Sequence, residues 1–297
     1  MLIHSETRTR HDRADMTPAL IYDVGMHNGD DTSFYLAQGY RVLAIEADPQ
    51  LVEHAKNRFR EQTRSGQLTI LNVGIAPRSG SAEFWICEKN SIWNSFNRNI
   101  AGRDGCPHHV IEIATRRFSE VLAEFGVPSY LKIDIEGADR LCLEDLNPGQ
   151  LPRFISIESE CIGDENSQID GSLDSLRLLQ AVGYRKFKLI SQRDFHPAAY
   201  RDPFEEVRRL LNSAAYGRLR VLGLARLAEH FTDRGRLAKR HLYQFTDGSS
   251  GPWGDGTLGD WLSYGEAAAI CTRTRRRHFS KRNIASHSFW YDWHATY

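Results

Sequence analysis

The stretch IYDVGMHNGDDTSFYL, from Ile21 to Leu36, decides the fold of this chain. It joins an apolar run, a short turn bounded by Gly25 and Gly29, and the polar start of a helix. A buried strand followed by a glycine turn and a helix is the opening unit of an α/β sheet. Open α/β sheets bind ligands beyond the carboxyl ends of their strands, so we expect this turn to hold a ligand.

The turn differs chemically from the turns that bind dinucleotides. A pyrophosphate is held by G-x-G-x-x-G, whereas the glycines here are spaced G-x-x-x-G and the third small residue is missing. Asp23, at the end of the strand, would repel a phosphate and attract an ammonium group. A ligand with an amine, a carboxylate and a ribose suits this turn better. S-adenosylmethionine is such a ligand, and we predict it as the cofactor, with S-adenosylhomocysteine as the product.

Glu46 supports this prediction because it ends the second predicted strand, VLAIE. A carboxylate at this place can accept hydrogen bonds from both ribose hydroxyls. The alternative is that Glu46 is an ordinary polar strand end. The two features together, in the right strand context, favour a site for a nucleoside cofactor.

Strand patterns alternate with helical patterns over the first two thirds of the chain. We predict strands at 19–24, 41–46, 68–73, 130–135, 154–158 and 185–190, a hairpin-like strand at 81–87, and a last aromatic strand in SFWYDWHATY at the end of the sequence. Such alternation is typical of an α/β fold with a mostly parallel, doubly wound sheet and helices on both faces.

Length and composition indicate a globular protein with one α/β domain. The chain has 297 residues, 41% hydrophobic and 26% charged. We expect a flexible arm at 1–17 and a single α/β domain at 18–297, with an insertion or cap at 196–285 before the last strand. Within the insertion, 204–240 has an arginine-rich helical pattern. The glycines of 248–254 are typical of a lid loop, and an ordinary surface loop is the alternative.

Charge and cysteine usage narrow the possible partners. Basic and acidic residues balance at 38 each, which argues against a nucleic-acid protein driven by bulk charge. No apolar run approaches the length of a membrane span.

The five cysteines are scattered and odd in number, so we expect reduced thiols in a cytoplasmic protein. The arginines of the insertion are expected to face solvent or a second subunit of a homo-oligomer.

Four segments resemble, in order and spacing, the FkbM-type methyltransferases, which are class I enzymes that depend on S-adenosylmethionine. The segments are YDVGMHNGDDTSFYLAQGY, VLAIEADP, NVGIA and YLKIDIEGAD, and the resemblance covers roughly 18–190. It implies a Rossmann-like sheet of seven strands with the last strand antiparallel. It also implies O-methylation of a sugar, a glycan or a natural-product intermediate.

The resemblance also implies which residues contact the cofactor. The methionine part would be lined by Asp23, Gly25, Asn28 and Gly29, with Asp31 and Thr32 nearby at the helix start. Glu46 would hold the ribose, and the adenine would be bordered by Ala47, Asp48, Asn72 and Val73.

Two carboxylates are candidates for the chemistry itself. Asp134 and Glu158 lie at the carboxyl ends of neighbouring predicted strands, so we expect them to meet at that edge of the sheet. A hydroxyl acceptor needs a base or a metal to become nucleophilic. Two carboxylates with water and substrate oxygens could hold Mg²⁺. The alternative is that Asp134 binds the cofactor ammonium and that Glu158 pairs with an arginine.

His294 is the third catalytic candidate, as a base. It alternates with Trp290 and Asp292, so the three share one face if the last segment is a strand. A histidine near a chain end is more often a packing or solvated residue.

The sequence therefore favours an S-adenosylmethionine-dependent O-methyltransferase. The first alternative is an NAD-dependent oxidoreductase on the same fold. The others are a module that binds S-adenosylmethionine without chemistry, and an RNA methyltransferase whose C-terminal arginines bind RNA.

Overall fold

The computed structural model describes residues 18–159, 163–198, 240–246, 248–280 and 290–297, and every structural statement below concerns these residues. Seven of the strands form one sheet, and three form a smaller one. The large sheet contains β1 (Leu20–Val24), β2 (Arg41–Glu46), β3 (Leu68–Asn72), β7 (Tyr130–Ile133), β8 (Phe154–Ser159), β9 (Lys186–Ser191) and β10 (Tyr291–Thr296). The small sheet contains β4 (Gly74–Ile75), β5 (Gly80–Cys87) and β6 (His108–Arg116).

The large sheet has the strand order β3-β2-β1-β7-β8-β10-β9. The pairs among β1, β2, β3, β7 and β8 are parallel. Strand β10 lies between β8 and β9 and is antiparallel to both. This confirms the predicted mostly parallel, seven-stranded sheet with an antiparallel last strand. The order reverses between β1 and β7, so the crevice beyond these two strands is the topological switch point.

Helices cover both faces of the sheet. They are α1 (Asp30–Ala37), α2 (Pro49–Arg58), α3 (Arg60–Arg64), α4 (Arg98–Ala101), α5 (Phe118–Phe125), α6 (Asp139–Glu144), α7 (Glu165–Val182) and α8 (Tyr264–Ser280). The start of α2 follows the sequence signal, since Asp48 accepts a hydrogen bond from the N–H of Gln50 (2.8 Å) and Pro49 is the first helical residue. Each such cap stabilises a helix by about 1 kcal/mol.

Two apolar clusters pack against the two faces of the sheet. One contains Trp293 of β10, which is fully buried and donates its indole N–H to the carbonyl of Ser172 (2.9 Å). The other contains Tyr130 of β7, on which the ring of Trp253 stacks with a centroid distance of 4.5 Å. Residues from the second half of the chain therefore complete both layers of the core.

The small sheet contains a strand that the sequence patterns did not predict. His108 and His109 begin this strand, β6, which pairs antiparallel with β5 along eight residue pairs. The expectation of reduced thiols is wrong for Cys87 and Cys106, which form a disulfide. The pairing of Cys87 with His108 in the β5–β6 register brings the two thiols together. Cys142 and Cys271 are free and buried.

The C-terminal region is only partly described. The arm 1–17 and most of the arginine-rich segment 204–240 lie outside the described residues. Helix α8 carries much of the basic run 273–282, and its residues Ala267 and Cys271 belong to the large apolar cluster. Ser249 and Ser250, in the segment expected to form a lid, are buried. No helix in the described ranges combines the length and apolarity needed to span a bilayer.

The first turn makes the closest backbone approach at this edge of the sheet, and it can be tested by substitution. Gly25 and Gly39 both have positive φ, at 85° and 86°. A Cβ on Gly25 would lie 1.8 Å from the carbonyl oxygen of Asp134, whereas a Cβ on Gly39 would meet nothing within 4 Å. We expect Gly39→Ala to cost about 1 kcal/mol of unfolding free energy, from backbone strain alone. Gly25→Ala should cost about 2 kcal/mol more, because β1 or β7 must move.

Denaturant unfolding of the two variants beside the parent protein measures this difference. Equal losses at the two glycines would show that the contact between Gly25 and Asp134 is not tight.

Candidate functional site

A cavity opens at the switch point, beyond the carboxyl ends of β1, β2, β7 and β8. Part of its wall comes from the small sheet and part from the C-terminal region. Eight of the residues predicted from the sequence line it: Gly25, Asn28, Asp31, Glu46, Ala47, Val73, Asp134 and Glu158. Six do not line it: Asp23, Gly29, Thr32, Asp48, Asn72 and His294.

The turn after β1 is tied to β2. The N–H groups of Gly25 and Met26 both donate to the carbonyl of Ile45, each at 3.0 Å. The turn then reverses through Gly29, which has a φ of 82° and immediately precedes α1. A side chain on Gly29 would collide with the ring of Phe59. Backbone of this kind comes closer to a ligand than a turn with larger side chains could.

Glu46 is held in place by the backbone around it. Its carboxylate accepts hydrogen bonds from the N–H groups of His27 (2.8 Å) and Asp48 (2.9 Å). Burial raises the pKa of Glu46 to about 7, against the lowering effect of these hydrogen bonds. Each carboxylate oxygen has a further lone pair, so Glu46 can also accept hydrogen bonds from a ligand in the cavity.

Asp23 lies one layer below the cavity. It is fully buried, accepts a hydrogen bond from the hydroxyl of Thr32 (2.6 Å), and lies 3.1 Å from the ammonium of Lys132. The sequence predicted that Asp23 would attract an ammonium group, and in the structure that group is the protein's own lysine. Asp23 and Thr32 thus support the wall of the cavity from beneath.

Asp48 and Asn72 brace the wall from its other side. Asp48 accepts a hydrogen bond from the amide of Asn94 (2.9 Å) in addition to capping α2. The side-chain amide of Asn72 donates to the carbonyls of Glu46 and Ala47, both at 3.0 Å. These bonds fix the chain that carries Glu46, but they turn both polar groups away from the cavity.

Asp31 connects the cavity to the C-terminal region. Its carboxylate oxygens lie 2.9 and 3.1 Å from the N–H of Ser250, which donates to them. Burial raises the pKa of Asp31 to about 7, while Lys132 opposes this shift. Gly248, in the same segment, lines the cavity. The segment expected to be a lid is therefore packed against the site.

Three carboxylates gather in the part of the lining at and beyond the carboxyl ends of β7 and β8. Asp134, Glu136 and Glu158 each offer an oxygen atom within 4.8 Å of the other two. Asp134 and Glu158 meet as predicted, because they follow the paired residues Ile133 and Ile157. Glu136 pairs with Arg103 at 2.9 Å, and burial and Asp134 raise its pKa to about 8.

The structure does not bring His294 to the cavity. Strand β10 is antiparallel, so Trp290 reaches the cavity and each further pair of residues lies deeper in the sheet. His294 is 1% exposed, and burial, with Lys188, lowers its pKa to about 3. The predicted alternation is correct for Asp292 and His294, but the depth was not foreseen. We therefore assign His294 no role as a base.

Several lining residues carry no local signal in the sequence. Ser91 and Phe96 belong to the chain between β5 and β6. Gln192 lies just beyond β9 and donates to the buried Asp292 at 2.6 Å. Trp290 begins the aromatic last segment, which was a usable signal for a strand but not for a site.

The lining is strongly acidic. It contains the six carboxylates of Asp30, Asp31, Glu46, Asp134, Glu136 and Glu158, and Lys132 is its one lysine or arginine among the described residues. His27 also lines the cavity, and burial lowers its pKa. Such a cavity favours a cationic ligand and disfavours a pyrophosphate.

Comparison with known protein families gives a match to the part of the chain that carries this site. Residues 23–216 match the methyltransferase FkbM domain. This match covers most of the chain and includes the turn, Glu46 and the KIDIEG segment, so the chain belongs to the FkbM methyltransferase family. No curated protein matches the chain.

The solved structures that match the chain are distant in sequence. The FkbM methyltransferase of Methylobacillus flagellatus KT is 16% identical over 61% of this chain, with a TM-score of 0.40. The match spans 42% of that chain, less than half of its length. A precorrin-6y C5,15-methyltransferase of Geobacter metallireducens GS-15 is 12% identical over 58% of this chain and 68% of that chain, with a TM-score of 0.32. The family assignment rests on the domain match alone.

The raised pKa of Glu46 makes the stability of the ligand-free protein depend on pH. Its folded pKa of about 7 lies above the ordinary value of 4.5, so the folded state binds the extra proton between these values. Glu46 therefore contributes to the free energy of unfolding fully below pH 4.5, and this contribution is lost as the pH rises through 7. We expect Glu46→Gln to reduce the stability difference between pH 5 and pH 8 by on the order of 2 kcal/mol.

Urea unfolding at the two pH values gives this difference. Glu61→Gln, which changes an exposed carboxylate of α3, should leave it unchanged. An unaltered pH dependence in Glu46→Gln would show that Glu46 ionises normally in the folded protein.

Proposed function

We propose that this protein is an S-adenosylmethionine-dependent O-methyltransferase, whose acceptor is a hydroxyl of a sugar, a glycan or a natural-product intermediate. The observation that carries the proposal is the acidic cavity at the switch point of an FkbM-family sheet. S-adenosylmethionine carries a sulfonium and an ammonium group against a single carboxylate, so it is a net cation and matches this charge.

The residues present fit the cofactor part by part. Glu46 would accept the ribose hydroxyls, since its carboxylate is already fixed at the cavity wall. Val73 and Phe84 offer apolar surface beside it, which suits an adenine ring. The Gly25 turn with Asp31 and Asp134 would receive the amino-acid part, where the carboxylates meet the ammonium group.

The alternatives fit less well. An NAD-dependent oxidoreductase would place a pyrophosphate beside the first turn, where the lining carries six carboxylates and one lysine. A module that binds the cofactor without chemistry would have the same cavity, and only turnover separates it from an enzyme.

Glu158 is the side chain best placed to accept the proton of the acceptor. Bound S-adenosylmethionine would supply an electrophilic methyl group to the acceptor oxygen and would keep its sulfur as a thioether, while Glu158 would hold the proton that the acceptor oxygen gives up. Glu158 has Asp134 beside it and lies opposite Asp292 in the pairing of β8 with β10. Gln192, which donates to Asp292, and Trp290 also line the cavity and would offer an amide and an indole to the acceptor. Trp290 and the segment that contains Gly248 and the buried Ser249 and Ser250 would limit the access of water.

We also propose, as a second point, that Mg²⁺ binds Asp134 and Glu158. Their oxygen atoms and one of Glu136 lie close enough to share one ion. A metal there would lower the pKa of the acceptor hydroxyl.

The first test is calorimetric titration with S-adenosylhomocysteine and with NAD⁺. We expect the former to bind and the latter to give no heat, because the pyrophosphate would face the acidic lining. Binding of NAD⁺ alone would overturn the proposal. Where both bind, comparing S-adenosylmethionine consumption with NAD⁺ reduction in a panel of acceptors decides between them.

The role of Glu46 is tested in the same titration. Glu46→Gln should weaken S-adenosylhomocysteine binding about 10- to 100-fold, because hydrogen bonds to a charged acceptor contribute about 1.5–3 kcal/mol. Glu61→Gln is the matched control and should bind as the parent protein does. Equal affinities in the two variants would remove Glu46 from the ribose site.

The metal proposal has its own test. If Mg²⁺ bridges the carboxylates, titration with MgCl₂ should give saturable binding that Glu158→Gln weakens at least tenfold, since a ligand is lost. Glu144→Gln changes a carboxylate at the end of α6, away from the cavity, and should leave the binding intact. Absence of saturable binding in the parent protein would exclude the ion and leave Glu158 as a base.

A further inference from the structure

Lys132 occupies the point where the first turn, α1 and the end of β7 converge. Its ammonium donates to the carbonyl of Gly25 at 2.9 Å and lies 3.1 Å from the carboxylate of Asp23. The carboxylates of Asp31 and Asp134 lie on either side, each 3.8 Å away. The side chain is 4% exposed, and it forms part of the cavity lining.

The surroundings keep this lysine charged. Burial alone would lower the pKa of Lys132, but Asp23, Asp134 and Asp31 together raise it. A single ammonium thus neutralises Asp23, which has no access to solvent, and it lies between two carboxylates that would otherwise repel each other. The groups facing it are Asp23 on β1, Asp31 on α1, Asp134 beyond β7, Asp292 on β10, Glu46 on β2 and His27 in the turn.

We propose that Lys132 is a positioning residue: it fixes the Gly25 turn and the directions of the Asp31 and Asp134 carboxylates, so that the two meet the amino-acid part of the cofactor. This inference rests on the proposed function. Lys132 acts through its neighbours, because its ammonium is directed at the carbonyl of Gly25 and the carboxylate of Asp23.

The contacts explain why the role is local. Glu46, at the nucleoside side of the cavity, accepts hydrogen bonds from the N–H groups of His27 and Asp48, and the side-chain amide of Asn72 donates to its carbonyl. The supports from Asp48 and Asn72 lie outside the turn that Lys132 holds. Loss of Lys132 should therefore disturb the end that holds the amino-acid part and leave the nucleoside side intact. A lysine that only stabilised the fold would affect both ends alike.

The test compares two ligands in calorimetric titrations. S-adenosylhomocysteine has the nucleoside, the sulfur and the amino-acid group, and 5′-methylthioadenosine has only the first two. The variant Asp23→Asn with Lys132→Met removes one negative and one positive charge, so the net charge at the site is unchanged. We expect it to bind S-adenosylhomocysteine at least tenfold more weakly than the parent protein, and 5′-methylthioadenosine within about threefold of the parent.

Lys188→Met is the matched control. Lys188 is also buried on this face of the sheet, where it donates to the hydroxyl of Thr257 at 3.0 Å, and it does not line the cavity. The Lys188→Met variant should bind S-adenosylhomocysteine and 5′-methylthioadenosine with the affinities of the parent protein. Removing one partner of a buried ion pair often unfolds a protein, so the paired variant is used in place of Lys132→Met alone, and circular dichroism confirms its fold.

Each outcome has one meaning. A selective loss of S-adenosylhomocysteine affinity supports the positioning role. Parental affinity for both ligands, or equal weakening of both, overturns it while the proposed function stands. If the paired variant does not fold, the same comparison in Asp31→Asn with Asp134→Asn decides, since loss of both positioned carboxylates must reproduce the selective effect. Failure of the parent protein to bind S-adenosylhomocysteine would overturn the proposed function and this inference with it.

Discussion

At Gly25 the backbone leaving the first strand passes so close to the carbonyl of Asp134 that a side chain has no room. The approach exists because β1 and β7 are neighbouring parallel strands whose ends leave the sheet at the same edge. It also brings the carbonyl of Gly25 to the ammonium of Lys132. The position of the cavity floor, of the lysine and of Asp134 therefore follows from one steric constraint between two central strands.

Electrostatics at this edge follow from the same geometry. Parallel strands deliver their carboxyl-terminal side chains to one place, so carboxylates far apart in the sequence become neighbours. Burial then works against their charge, and the pKa of Glu46 and that of Asp31 rise to about 7. A bound cation would counter this effect. A cationic ligand in the cavity would thus stabilise the ionised form of these buried carboxylates.

Much of the fold and part of the site could be predicted from the sequence. The strands of the large sheet have strong apolar patterns, and the glycine turn and Glu46 mark its switch point. Strand β6 was missed because it opens with two histidines and only Ile113 and Thr115 are buried in it, so its inward face is short. The disulfide between Cys87 and Cys106 could not be foreseen without that strand.

Other differences between prediction and structure concern how deeply a side chain lies in the sheet. The alternation of the last strand was predictable, but the side on which it enters the sheet determines whether His294 or Trp290 reaches the cavity. The role of Asp23 depends on Lys132, which reaches it only when β1 and β7 pair. Spacing along a chain carries no such information, since it depends on which strands become neighbours.

The place of β10 has a consequence for how the chain folds during its synthesis. Strand β9 is joined to the rest of the large sheet through β10 alone, and about a hundred residues separate the two in the sequence. Until the ribosome has delivered 291–296, the edge of β8 stays open and β9 has no strand to pair with. An open strand edge is prone to pair with other chains, so we expect the nascent protein to need protection of this edge until synthesis reaches its last strand.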